Sequence, residues 1–589
     1  MKSIIVAILV ALVTVGACSQ LSKPTVDEND PISCGDLSLG QTKTESCEGG
    51  SKIFVCKEGG LEEILNSCKA PQVDCVSFED VKPILSDECV VCHFTPAPYD
   101  RYEVAKSKID SFIRRQNLGN DNPERMPREP KPPLKVEDKR LIERWKADGL
   151  KEKNSDCSDT GGVNSGFIDL LQLESAIITD LAKLESDDRE NTRYVVASHK
   201  INQEYKSLDR IPMAVDKSLS SLSREEDLYN AEEVFPGLYR FDLRSYGLDG
   251  EDWREIEDED AFDLESFTDE GQQIKFLTGA RKAWFHYDNF IEITQKARVY
   301  YDLLNVSRSL NQHLRNLGVN VGAQFRDFSA QFLGFNGSEI TLQKNRLIVG
   351  FEGRDGYVWI TFDPIALNGN RTRNLFEFPC LNGTGCEAVF NFAASEVIWT
   401  LPNGLQGYAL FNAAGERQDN APIQDGLVQD TRSPIDPQID NAIDCHRCHS
   451  KGIIPARDEI RDHVVSNGSL FKAEDRQIIL ELYKSLEANN ARFASDNAVF
   501  SSAMGTLGIN QDKDQITEAW DDLRLDWDIK EVSSFLLLTE DEFRQGLKGS
   551  GQGAQAIGQL LTGGRITFDQ FIDILPVLKN DLRLFQEPL

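Results

Sequence analysis

Short apolar runs mark the middle of the chain, at residues 239–244, 347–351, 357–362, 389–392 and 397–401, with Gly, Asn or Pro between several of them. Runs of this length and spacing predict the strands of a sheet. Helical spacing precedes and follows them. Residues 168–173 open a helical stretch, and 78–85 read as a short amphipathic helix. Val136, Leu141, Ile142 and Trp145 share one helix face that Gly149 can close. Further helices are expected at 458–465, 477–486 and 540–547. The pattern predicts a multidomain chain: helical over 73–157, a mixed α+β middle domain over 160–430, and a mainly α module over 431–589.

The first residues carry another signal. Met1-Lys2-Ser3 precede an apolar run from Ile4 to Val15, followed by Gly16-Ala17-Cys18. That run suits the core of a signal peptide and is short for a bilayer span. Its ending resembles the bacterial lipoprotein cleavage box, so 1–17 is expected to be removed and Cys18 to carry lipid. A cut near Ala17 by an ordinary signal peptidase is the alternative. Ser19 resembles an outer-membrane sorting signal, and no later segment has the makings of a transmembrane helix. Residues 18–31 are polar without periodicity and read as a tether. Residues 32–72, with four Cys and few large apolar residues, read as a disulfide-rich module.

Two pentapeptides repeat one pattern: Cys89-Val90-Val91-Cys92-His93 and Cys445-His446-Arg447-Cys448-His449. C-x-x-C-H is the spacing of c-type haem attachment, in which two thiols add across the vinyl groups and the next histidine turns its imidazole to the iron. A zinc site would want more Cys or His close by. A thioredoxin-like pair would want a strand before the first motif, where a helix is expected. The expected cofactors are therefore two covalently attached haem c groups. Cys89 and Cys92 hold the first with His93 as ligand, and Cys445 and Cys448 the second with His449. Haem attachment and disulfides both belong outside the cytoplasm, which predicts the periplasmic side of a cell envelope. Of thirteen cysteines, Cys18 and the four haem thiols leave eight, enough for four disulfides. Proximity pairs Cys34, Cys47, Cys56 and Cys68 among themselves, joins Cys380 to Cys386, and leaves Cys75 and Cys157 to bracket the first haem domain.

A helix, the first motif, a proline-rich loop and a closing helix with Trp145 follow one another over 73–157. This order resembles an all-α monohaem cytochrome c domain of class I. The resemblance makes Met126 the sixth ligand of the first iron and sets Trp145 near the haem. Pro123 and Pro127 flank Met126 and stiffen its loop. His/Met ligation raises the potential and closes the iron to small ligands, as an electron carrier requires. Residues 239–244, Asn345-Arg346, 401–408 and 421–423, ahead of the second motif, resemble a large family of exported bacterial proteins with cytochrome c domains. That likeness runs over roughly residues 73–580 and implies haem binding and electron transfer. Gly404 and Gly407 are expected at turns or at close packing near the second haem.

The net charge of −32 is uneven. Residues 78–150 hold fourteen basic and fourteen acidic side chains, whereas 225–270 hold eighteen acids against three Arg. Such a run reads first as a solvated face, and more sharply as a docking face for a basic partner such as a small soluble cytochrome. Its sign disfavours nucleic acid. Residues 510–514 hint at calcium but lack the glycine and terminal Glu of an EF-hand. The second iron is the open question. His463 is the preferred sixth ligand, with Met504, His286 or an open position as alternatives, while His199 and His313 read as packed or surface residues. Two closed irons make an electron relay in the envelope. An open second iron makes a haem oxidoreductase of peroxidase-like kind, and a redox sensor or scaffold is the third reading.

Overall fold

The computed structural model describes residues 42–47, 50–57, 60–66, 77–86, 101–116, 142, 145–146, 152–153, 167–260, 268–337, 345–364, 374–420, 439–509, 514–547 and 554–582. The chain divides into two compact units, Met1–Lys69 and Ala70–Leu589. The first contains an antiparallel sheet of β1 (Thr42–Cys47), β2 (Gly50–Lys57) and β3 (Gly60–Asn66), in sequence order. Each return ends on a glycine, with Cys47 opposite Gly50 and Lys57 opposite Gly60. Cys18, Cys34, Cys68, Cys75 and Cys157, and the side chains of Cys47 and Cys56, lie outside the described residues.

In the second unit, α1 (Phe78–Ile84) starts at a capping box. Ser77 Oγ accepts from Glu79 N at 3.1 Å, and the Asp80 carboxylate accepts from Ser77 N at 2.8 Å. Phe78, Val81 and Leu85 pack with Ala105, Ile109 and Phe112 of α2 (Tyr102–Gln116) and with Ile142 and Trp145. The helix at 78–85 and the shared apolar face of Ile142 and Trp145 are thus present. Cys89, Cys92, His93, Met126, Val136 and Leu141 lie outside the described residues.

The expected mixture of helix and sheet is found. α3 (Leu170–Leu181) precedes β4 (Thr192–Val196), α4 (Ser198–Asn202) and α5 (Ile211–Ser221). With β5 (Glu232–Phe235), β6 (Leu238–Asp242) and β7 (Trp284–His286), β4 forms a sheet of order β5-β6-β4-β7, where β4 and β7 run parallel. α6 (Tyr287–Thr294) leaves directly from β7.

The larger sheet is an antiparallel meander of β8 (Gln331–Asn336), β9 (Asn345–Glu352), β10 (Tyr357–Pro364), β11 (Phe392–Thr400), β12 (Gln406–Asn412) and β13 (Arg417–Gln418). The run at 389–392 is not a strand of its own: Val389 makes an isolated bridge to Cys380, and Phe392 opens β11. Residues opposite each other across a ladder share a face. Glu396 pairs with Leu410 and Thr361, Ile398 with Tyr408 and Trp359, and Thr361 with Ile348. These residues and Arg346 therefore form one face. Val397, Trp399, Phe411, Leu347 and Gly334 form the other.

The remaining labelled helices are α7 (Ile443–Cys448), α8 (Ile460–Ser466), α9 (Leu486–Thr506), α10 (Gln515–Leu523) and α11 (Ile529–Phe535). They pack on the middle region: Lys217 pairs with Asp514, Arg210 with Glu518, and Lys530 with Glu204. Among the described residues no helix is long and apolar enough to cross a membrane. Cys380 and Cys386 form the expected disulfide, with Cα atoms 6.0 Å apart.

Candidate haem attachment site

The second motif is launched by a tight reversal. Ala442 has φ 68° and ψ −67°, and Ile443 N donates to Asn441 O at 3.0 Å, the geometry of a γ-turn that few non-glycine residues adopt. Beyond it α7 sets Cys445 and Cys448 one turn apart on the same side, Cys445 buried and Cys448 half-buried. His449 ends the helix, its N–H donating to Cys445 O at 2.8 Å. Its Nδ1 lies 3.1 Å from Gly452 O. A carbonyl only accepts, so Nδ1 carries a hydrogen, and in the neutral imidazole the lone pair is on Nε2. That is the tautomer an iron-ligating imidazole needs, oriented by a hydrogen bond at the other ring nitrogen. Gly452 is obligatory at this point: its φ is +94°, and a Cβ there would stand 2.4 Å from Asn497 Oδ1. The Asn497 amide of α9 accepts from Ile453 N at 2.7 Å and donates to Ile453 O at 2.9 Å, pinning the loop.

The loop covers the face of the large sheet that carries Glu396 and Arg346. Tyr408 stacks on His449 with ring centroids 6.0 Å apart, and His449 Nε2 faces Glu396 Oε1 at 3.9 Å. Arg346 Nη2 lies 3.9 Å from the other Glu396 oxygen and its guanidinium grips Asp363 at 2.8 and 3.1 Å. Burial opposes the charge on Arg346, but Asp363, Glu396 and Cys448 together hold its pKa above the ordinary value. Burial, reinforced by Glu396, raises the Cys445 thiol well above its usual range, so it stays protonated.

The two residues inside the motif clamp α7 from the other side. His446 is buried between Tyr408 at 5.1 Å and Tyr300 at 6.5 Å, and burial pushes its pKa down to about 3. Arg447 forks onto Asp521 of α10 at 2.8 and 2.9 Å.

The structure does not bring His463 to His449. α8 lies against the opposite face of the sheet, where Ile460 covers Gly334, and the His463 ring sits 5.2 Å from Phe376 with Asn467 donating to its Nδ1 at 3.3 Å. The short spacing between the motif and His463 misleads because residues 450–459 carry the chain around the β8 edge. Met504 is buried on α9, behind the Ala503 that backs Gly404. His286 belongs to a separate buried cluster: His199 Nε2 is 3.0 Å from Asp288, Lys200 is 3.1 Å from the same carboxylate, and the two imidazoles lie 4.4 Å apart. Of this cluster Lys200 alone adjoins His199 in sequence, and Asp288, which joins them, is 89 residues away. His313 is packed as expected, against Trp399 at 4.7 Å. Both glycines answer to packing: Gly404 has φ +87° in the β11–β12 turn, and a Cβ on Gly407 would stand 2.3 Å from the Trp399 indole.

Glu396 was not singled out by sequence reasoning, and Arg346 entered only within the Asn345-Arg346 segment of the resemblance, with no role at the site. A charged residue at an alternate position of an otherwise apolar strand was the available signal. The acidic run also changes meaning in three dimensions. Arg224 pairs with Asp252, Arg281 with Glu257 and Asp258, Lys282 with Asp260, and Arg298 with Glu255 and Glu259. Much of the run is a lattice of ion pairs with bases from outside it. Asp514, from the supposed calcium segment, is bound to Lys217 instead. Among the described residues no group of three or more His, Cys, Asp or Glu could hold a metal ion alone. A group held by two thiols and one imidazole does fit this loop. No family model matches the chain, and neither a curated protein nor a solved structure matches it.

Proposed function

We propose that this chain is an exported c-type cytochrome that carries two covalently attached haems and transfers electrons in the cell envelope, tethered through lipid on Cys18. The observation that supports the reading most is the His449 Nδ1 to Gly452 O hydrogen bond directly after Cys445 and Cys448. It presents the imidazole as a ligand with the two thiols beside it. Bound haem would supply one-electron chemistry. The chain's own part is to attach it through Cys445 and Cys448, orient His449, and exclude water with Tyr408 and the sheet. Cys89, Cys92, His93 and Met126 have the same roles at the first motif by pattern and by resemblance to class I cytochrome c. A basic soluble cytochrome remains the proposed partner on net charge.

Haem content of the mature protein, measured as the reduced pyridine haemochrome and by intact mass, tests the proposal. Two haems in the wild type and one in Cys445→Ala/Cys448→Ala are expected. A protein matured alongside the haem-attachment machinery that carries none would overturn it.

A further inference from the structure

His449 Nε2 is directed at Glu396, and the other candidates lie elsewhere: His463 beyond the sheet, His286 in the Asp288 cluster, and Met504 on α9. Glu396 is fixed in place. Its N–H donates to Thr361 Oγ1 at 3.2 Å, and its carboxylate lies beside the Arg346 guanidinium that Asp363 anchors. Arg346 and Glu396 sit on interior strands of the six-stranded sheet, their side chains 11% and 15% exposed. The loop of the second motif thus lies over a part-buried cluster of Glu396, Arg346 and Asp363.

We propose that Glu396, held by Arg346, occupies the sixth side of the second haem, and that this haem is where a small exogenous anion exchanges. The inference rests on the haem reading above. A carboxylate is a hard, anionic neighbour for iron, unlike the thioether expected at the first haem, and it favours the oxidised state. Its displacement is inexpensive because Arg346 stands ready to take the released carboxylate. The same guanidinium offers an incoming anion a charge partner. The two haems would then divide the work: the Met126 side relays electrons, and the Glu396 side meets a small oxygen- or nitrogen-based ligand.

Azide titration of the oxidised protein, followed optically and by electron paramagnetic resonance, tests this. Haem content is measured on every sample. Glu396→Gln should alter the oxidised spectrum of one haem and tighten azide binding by about tenfold or more, as loss of a nearby like charge implies. Arg346→Met should weaken it by a similar factor. Two haems with azide binding and spectra unchanged in both variants would overturn the inference while leaving the dihaem reading intact. A single haem in the wild type, absent from the second motif, would overturn that reading first.

Discussion

Lys217 of α5 and Asp514 at the start of α10 form an ion pair with side chains 2% and 1% exposed, across 297 residues of sequence. Asp514 also caps α10 by accepting from Thr517 N at 3.0 Å, and the pair lies beside His446 inside the second motif. Removing one partner leaves a buried, uncompensated charge. Lys217→Met should destabilise the second unit by about 3–5 kcal/mol, whereas Lys217→Met/Asp514→Leu should recover much of the loss. Urea denaturation of the single and double variants decides between these outcomes. Equal losses in both would mean that packing, not charge, sets the cost.

The γ-turn at Ala442 holds an alanine at φ 68°. Strain of this kind costs on the order of 1–3 kcal/mol, and glycine relieves it at an entropic cost of about 0.5–1 kcal/mol. Ala442→Gly should therefore raise stability by roughly 1 kcal/mol, read as a higher denaturation midpoint. Ala442→Val should lower it and reduce occupancy of the second attachment site.

His199, His286, His313 and His446 are buried and their pKa values are depressed, in each case first by burial. The unfolded chain takes up these protons near pH 6.5, the folded chain only further down. The unfolded state thus binds more protons below about pH 6.5, so stability is complete above that value and falls as the solution is acidified, by about 1.4 kcal/mol per pH unit for each histidine. Asp216, raised to about 6 by burial, acts in the opposite sense below that pH because the folded state keeps its proton. His286→Phe should flatten the acid limb of a plot of unfolding free energy against pH; an unchanged slope would show that His286 does not contribute.

On the resemblance to class I cytochrome c, Met126→Ala should lower the potential of the first haem and open its iron to carbon monoxide. Redox titration and a reduced carbon monoxide spectrum measure both effects. An unchanged potential would remove Met126 from the iron.

What the chain reveals on reading is what depends on neighbours in sequence. The helix that opens at Phe78, the strands β9 and β10, the Cys380–Cys386 pair and the glycines at 404 and 407 follow from local patterns that the fold respects. Strand β12 was hidden because Gly407 interrupts its apolar run for the sake of the Trp399 ring. The helix expected at 477–486 is instead Ala473–Leu482, because Tyr483 turns away with ψ 98° to meet Phe332. The site divides the same way. His449 is legible because its thiols adjoin it. Glu396, Arg346 and Asp363 reach it through strand register, which no spacing in the sequence encodes.

The meander β8–β13 is finished before the second motif begins, whereas α9 and α10, which close over that motif, come after it. A chain is synthesised in that order, and each hairpin of the meander joins adjacent segments, so the sheet can assemble early. Cys445 is only 3% exposed once α10 has docked. On the haem reading, thioether formation at this thiol belongs to an interval during biogenesis, after the platform exists and before its cover arrives. A chain that closes too soon would be sealed without its cofactor.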